Sequence, residues 1–184
     1  DLRAYPDGYI DLCLFNGAIV NSENEEIAQL LRQKSKLLVA FGSCASAGGI
    51  PALANLTTPS AIFKTVYLNN PSIDNPDQVL PEPTYLTREG ELHIPAFYHT
   101  VKKLEQVVEI DYVIPGCPPE ADQIWQVLQS VISILQKGTP LPPKGAVLGA
   151  TDTAVCKECI LEKHEKQIAR FYRPYEVIPE PGLC

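Results

Sequence analysis

Three observations predict an α/β fold built on an open, mostly parallel, flavodoxin-like sheet with helices on both faces. Short apolar runs at Tyr9–Phe15, Lys36–Phe41 and Asp111–Ile114 alternate with segments of helical periodicity. Strand, helix, strand order implies right-handed crossovers, and so parallel neighbours. The second and third runs each lead into a small-residue turn carrying a cysteine, Gly42-Ser43-Cys44 and Pro115-Gly116-Cys117-Pro118-Pro119. In a parallel sheet both thiols emerge at the carboxyl edge, where open α/β sheets place ligands.

The elements follow in order. Tyr9–Phe15 is apolar apart from Asp11 and ends in Asn16-Gly17, a strand entering a loop. Asn21 or Ser22 caps the next helix, Glu25 and Glu26 lie in its positive first turn, and Ile27, Leu30 and Leu31 form its apolar face. Residues 55–98 are rich in proline and asparagine and predict an excursion with little regular structure. Its rings Phe63, Tyr67, Tyr85, Phe97 and Tyr98 either cover the sheet or anchor a partner. A helix from about Pro119 to Lys137 carries Ile124, Val127, Leu128, Val131, Ile132 and Leu135 at helical spacing, with Gly138 at its exit. The proline-rich Thr139–Lys144 stretch reads as a boundary between a domain at 1–138 and a cysteine-containing segment at 139–184.

Composition narrows the function classes. With 184 residues, 45% of them apolar, the chain can bury a real core. A net charge of −7 and the lack of a long Lys/Arg block argue against a nucleic-acid partner. No stretch reaches the ~20 apolar residues of a membrane span, and the start lacks the apolar core of a signal peptide, so a cytoplasmic location is expected. The chain begins without Met and contains none, and both ends read as incomplete. Reduced thiols suit that setting, and Cys-x-x-Cys without a secretory context favours metal or redox work.

Six cysteines divide into three groups. Cys13 lies inside a strand and reads as a buried core thiol. Cys44 and Cys117 supply two of the four thiolates that a cubane iron–sulfur cluster needs. Gly42, Gly48, Gly49 and Gly116 leave room for backbone amides to turn toward sulfur, and Pro118 fixes the exit of its turn. In the tail, Cys156-Lys157-Glu158-Cys159 and Cys184 lack one member of a tetrahedral set, with His164 or a residue beyond the end as the fourth. Spacing there fits structural zinc and iron–sulfur equally.

Taken together, these motifs resemble the small, iron–sulfur subunit of nickel–iron hydrogenases, most of all the cytoplasmic F420-non-reducing, methyl-viologen-reducing type. The likeness runs through Asn16–Ile19, Lys34–Ala45, Gly48–Pro51, Asp111–Pro119 and the cysteine tail. It implies that Cys44 and Cys117 ligate a proximal 4Fe-4S cluster, completed by a Cys-x-x-Cys upstream of Asp1. It implies likewise that Cys156, Cys159 and Cys184 ligate a distal 4Fe-4S cluster. Gly42, Ser43, Ala45, Gly116 and Pro118 would then surround the proximal sulfurs. The resemblance further implies an oxidoreductase subunit without a nickel–iron centre of its own. Its partners would be the nickel–iron large subunit and a further iron–sulfur or flavin acceptor subunit, with heterodisulfide reductase one form of the latter. In two places the chain departs from the pattern: Asn16 stands where the family usually has an acidic residue, and Ser46 where many close relatives have cysteine.

Two rivals remain. The related 20 kDa iron–sulfur subunit of NADH:quinone oxidoreductase shares both cysteine turns but has no need of the tail. A non-enzymatic, zinc-stabilised adaptor would use Cys44 and Cys117 as buried structural thiols.

Overall fold

The computed structural model describes residues 1–138 and 140–151, with positions 153, 154, 157 and 173 beyond them. Cys156, Cys159, His164 and Cys184 lie outside the described residues, as does the side chain of Leu135. The chain divides into two compact units, Asp1–Ala150 and Thr151–Cys184.

Four parallel strands form the central sheet of the first unit in the order β1 (Ile10–Asn16), β3 (Ser35–Phe41), β7 (Tyr112–Ile114), β8 (Ala146–Val147). Each pairing is parallel, as the strand, helix, strand order predicts. Strand β3 shows why the sheet needs cover on both faces. Leu38 and Ala40 enter a cluster with Phe15, Ala28, Ala45 and Leu104, while Val39, flanked by Leu37 and Phe41, packs with Tyr112, Ile114 and Val127. Side chains on a strand alternate sides, so a continuous apolar run is buried from both directions.

Helix α1 (Ser22–Lys34) covers the first face. The Asn21 side chain accepts a hydrogen bond from the Asn24 amide at 2.9 Å, an N-cap that fixes where the helix starts. Its buried stripe centres on Ala28 and Leu31, whereas Ile27, expected on that face, is exposed. The small Ala28 lets the helix approach the sheet, and this rotates Ile27 outward. Helix α4 (Ala121–Lys137) covers the second face through Val127 and Val131 and ends at Gly138, which is in the left-handed conformation. Ile132, also expected there, is exposed.

The excursion holds more regular structure than its composition suggests. A 3-10 helix (Ile50–Leu56), α3 (Pro59–Phe63), one π turn (Lys64–Leu68), the hairpin β4 (Thr84–Leu86) and β5 (Glu91–His93), and β6 (Phe97–Lys102) succeed one another. Strand β6 pairs with the short β2 (Ile19–Asn21), and Lys102 meets Glu25 of α1 at 3.2 Å. These ties are long-range and leave no local signature in the sequence. Phe63 packs on Phe97 at 5.3 Å and on Tyr67 at 6.1 Å between ring centroids. Phe63 therefore meets Tyr67 edge-on and Phe97 at a tilt within the chain, while Tyr85 is exposed.

At the amino-terminal edge of the sheet a buried carboxylate joins four segments. Asp111 is 1% exposed. One of its oxygens accepts from Arg32 at 2.6 Å and from the Leu38 amide at 2.8 Å; the other lies 3.2 Å from the Lys144 ammonium. Burial alone would raise its pKa, but the Arg32 guanidinium, the Leu38 amide and Lys144 outweigh it and hold the carboxyl below its ordinary range.

Candidate functional site

The opposite edge carries the two cysteine turns. Parallel register aligns Asn16, Phe41 and Ile114, the last residues of β1, β3 and β7. The chain leaves this rim through Gly17, Gly42 and Pro115. Two backbone bonds then join the second and third turns: the Gly42 amide donates to the Ile114 carbonyl and the Ser43 amide to the Gly116 carbonyl, both at 2.7 Å. Cys44 and Cys117 thus follow directly from turns stitched to each other. Cys44 is half-buried in the short helix α2 (Ser43–Ala47), Cys117 is exposed, and neither forms a disulfide. The Cys117–Pro118 bond is cis.

Of the flanking residues named from sequence, Gly42 and Ala45 are buried, Ser43 and Gly116 supply a donor and an acceptor of the stitch, and Pro118 is exposed beside Cys117. The Ser46 hydroxyl donates to the Gly42 carbonyl at 3.0 Å, which tightens the first turn. Two further residues join the rim, Gln123 without a signal in the sequence and Asn16 at the position where the family usually has an acidic residue. The Gln123 side-chain amide on α4 donates to the Pro115 carbonyl at 2.9 Å and holds the second turn. The Asn16 side-chain oxygen borders Gly42, 3.9 Å from where a Cβ there would stand, and brings the first turn of the rim into the same neighbourhood.

Two glycines are required by close approach. A Cβ at Gly116 would stand 2.4 Å from the Pro119 Cα and 2.6 Å from its nitrogen, so the turn has no room for any side chain. A Cβ at Gly49 would stand 2.9 Å from the Cys44 sulfur, in a backbone with φ of +53°. Gly49→Ala is therefore expected to displace the Cys44 thiol, to cost about 1–3 kcal/mol and, on the iron–sulfur reading of the sequence, to lower iron content. Thermal denaturation and iron analysis check this, and unchanged values in both contradict it.

Among the described residues no cluster of three or more His, Cys, Asp or Glu gathers. Two soft sulfur donors on stitched turns, with side chains excluded around one of them, suit half of a four-cysteine cluster site. Cys13 stands apart. It is half-buried against the α1-side core, and burial pushes its thiol pKa up against the Ser35 hydroxyl and the Arg32 charge, as befits an inert packed sulfur. Cys13→Ala is expected to cost roughly 1 kcal/mol through packing and to leave iron content unchanged, which melting and iron analysis measure together.

The family model that matches residues 1–131 describes the 20 kDa subunit of NADH ubiquinone oxidoreductase. The whole chain is 39% identical to the iron–sulfur subunit of the F420-non-reducing hydrogenase of Archaeoglobus profundus, covering 57% of that protein. Over 95% of the chain it is 32% identical to the corresponding F420-non-reducing hydrogenase subunit of Methanothermobacter marburgensis, covering 51% of that protein. Among solved structures, an NAD+-reducing [NiFe]-hydrogenase in the H2-reduced state superposes with a TM-score of 0.59 at 30% identity, over 68% of this chain and 66% of the other. The chain spans little more than half the length of these two F420-non-reducing hydrogenase subunits. No helix among the described residues is long and apolar enough to cross a membrane. By the match over residues 1–131, the chain belongs to the NADH ubiquinone oxidoreductase 20 kDa subunit family, and it is similar along nearly all its length to subunits of F420-non-reducing hydrogenases.

Proposed function

We propose that the chain is the electron-transfer arm of a nickel–iron hydrogenase. Hydrogen is split at the nickel–iron centre of a separate large subunit, and this subunit takes the released electrons toward a downstream acceptor in the cytoplasm. The observation that carries this reading is the pair of backbone bonds joining the turns of Cys44 and Cys117 at one rim of the sheet.

Cys44 and Cys117 would hold the sulfur-bridged iron of a proximal 4Fe-4S cluster, and such a cluster supplies one-electron transfer when bound. The chain's own residues do the rest. The stitch between Gly42–Ser43 and Ile114–Gly116 sets the spacing of the two thiolates, Gln123 holds the second turn from α4, and Gly49 and Gly116 keep side chains out. Fixing these positions limits rearrangement around the sulfurs and tunes potential through nearby amide dipoles. In this reading Cys156, Cys159 and Cys184 ligate a distal 4Fe-4S cluster, and the acceptor is a further iron–sulfur or flavin subunit such as a heterodisulfide reductase. The tail cysteines favour the hydrogenase over the NADH:quinone oxidoreductase subunit, which has no use for them.

Anaerobic purification tests the proposal. A brown protein that absorbs broadly in the blue, bleaches on reduction and contains iron supports it. A colourless protein that binds zinc without iron overturns it in favour of the adaptor.

A further inference from the structure

From the charge-free rim of the sheet we infer that Asn16 sets the reduction potential of the cluster held by Cys44 and Cys117, by keeping a neutral amide where a charge would be felt. The inference rests on the function proposed above.

The sheet keeps charge away from sulfur. In a chain that is 20% charged, the stretches that contain the three turns of the rim, 12–22, 37–63 and 112–119, hold no Asp, Glu, Lys, Arg or His. The charges that precede them, Asp11, Lys36 and Asp111, lie at the opposite edge, at or just before the starts of β1, β3 and β7. There they are paired: Lys36 meets Asp11 at 2.6 Å, and Asp111 meets Arg32 and Lys144. Glu120, the first charge after Cys117, stands at the N-cap of α4, where the positive end of the helix offsets it.

Asn16 lies among these neutral turns. It ends β1 level with Phe41, and its oxygen borders Gly42, whose amide is bonded to the Ile114 carbonyl. The side chain is exposed and, among the described residues, has no hydrogen-bonding partner. The carboxamide therefore makes no tie within the fold, and it stands beside the turn that carries Cys44.

A cluster held by four thiolates has a potential that depends on the net charge, hydrogen bonds and solvent around it. A carboxylate at the rim would oppose the added electron, and an ammonium would favour it. With the rim neutral, only dipoles act, and the cluster stays easier to reduce than it would beside an acid. That suits a carrier which must accept electrons. A unit charge within about 10 Å, in a medium of protein-like dielectric, changes such an equilibrium by about tenfold or more.

The test uses the assembled complex, with Asn16→Asp and Asn16→Lys at the rim and Gln136→Glu, exposed near the far end of α4, as control. A redox titration followed by electron paramagnetic resonance reads the midpoint of the signal that Cys117→Ser removes, and iron analysis reports loading. At a fixed ambient potential Asn16→Asp is expected to lower the ratio of reduced to oxidised cluster at least about tenfold, or about 59 mV for one electron, and Asn16→Lys to raise it. The control is expected to keep the wild-type midpoint, because charge so far away is screened. Opposite signs are the signature of charge, since a merely distorted turn would shift both variants the same way. Where one variant fails to load iron, the sign of the other decides. Unmoved midpoints, shifts of one sign, an equal shift in the control, or loss of iron from both rim variants overturn the inference and leave the proposed function standing. A wild-type complex without an iron–sulfur signal overturns the proposed function itself, and the role of Asn16 with it.

Discussion

On the function proposed above, serine in place of Cys117 is expected to leave the fold intact and to abolish hydrogen-driven dye reduction by the assembled complex. The side chain is exposed and packs against no core cluster, so the exchange of sulfur for oxygen creates no cavity. The conformation of the turn rests on Gly116, on the Ser43 to Gly116 backbone bond and on the Gln123 anchor, none of which involves the thiol. Serine is a poor substitute because soft thiolates, not hydroxyls, hold iron–sulfur clusters. The loss of electron output should exceed the ~10–100-fold typical of removing an outer partner of a metal site. Dye reduction, iron content and melting midpoint measured together decide the matter. Full electron output from the variant means that position 117 is no ligand, whereas a collapsed melting midpoint means that the turn is structural.

Asp111→Ala is expected to be the most damaging single change to the fold. It removes the acceptor of the Leu38 amide and the counter-charge of Arg32, whose side chain is only 25% exposed and keeps only backbone carbonyls as acceptors, so a buried donor is orphaned and a poorly solvated cation is left uncompensated. Breaking such a pair from one side costs about 3–5 kcal/mol. For a unit of this size that corresponds to a fall of roughly 10 °C in melting midpoint. The milder Asp111→Asn keeps an oxygen for Leu38 and isolates the charge, and its pH dependence has a definite sign. The native carboxyl titrates below its unfolded value of about 3.9, so its contribution is complete above that value and disappears as pH falls through the lowered one. The stability gap between wild type and Asp111→Asn should therefore be constant from neutral pH down to about 4 and narrow below it. Denaturant titrations at several pH values measure the gap, and a gap that persists undiminished at the acid end rules out the charge as its source.

Much of the sheet was legible because its signals are local. A continuous apolar run such as Leu37–Phe41 announces a strand buried on both faces, and the Asn21 cap announces where α1 begins. The neighbourhood of the two cysteine turns was legible for a related reason. Parallel connection places the ends of β3 and β7 on one edge whatever the details of packing. Ile27 and Ile132 were misread because helical periodicity gives an apolar stripe but not the angle at which it meets the sheet. Strand β8 and the clamp of Asn55 on Val101 were invisible. The strand is only two residues long, and the clamp joins positions 46 residues apart.

From the order of residues alone came the alternation of strands and helices, the placement of Cys44 and Cys117 each just after a buried strand of one parallel sheet, and the likeness to a hydrogenase subunit. These depend on hydrogen-bonding period and chain direction, which a few adjacent residues specify. Folding in three dimensions decided that Asp111 meets Arg32 across 79 positions, that Gln123 steadies the Pro115 turn, and that Gly49 lies close against the Cys44 sulfur. Such contacts arise only when separate elements pack, since a side chain's environment is set by whatever the rest of the chain brings to it.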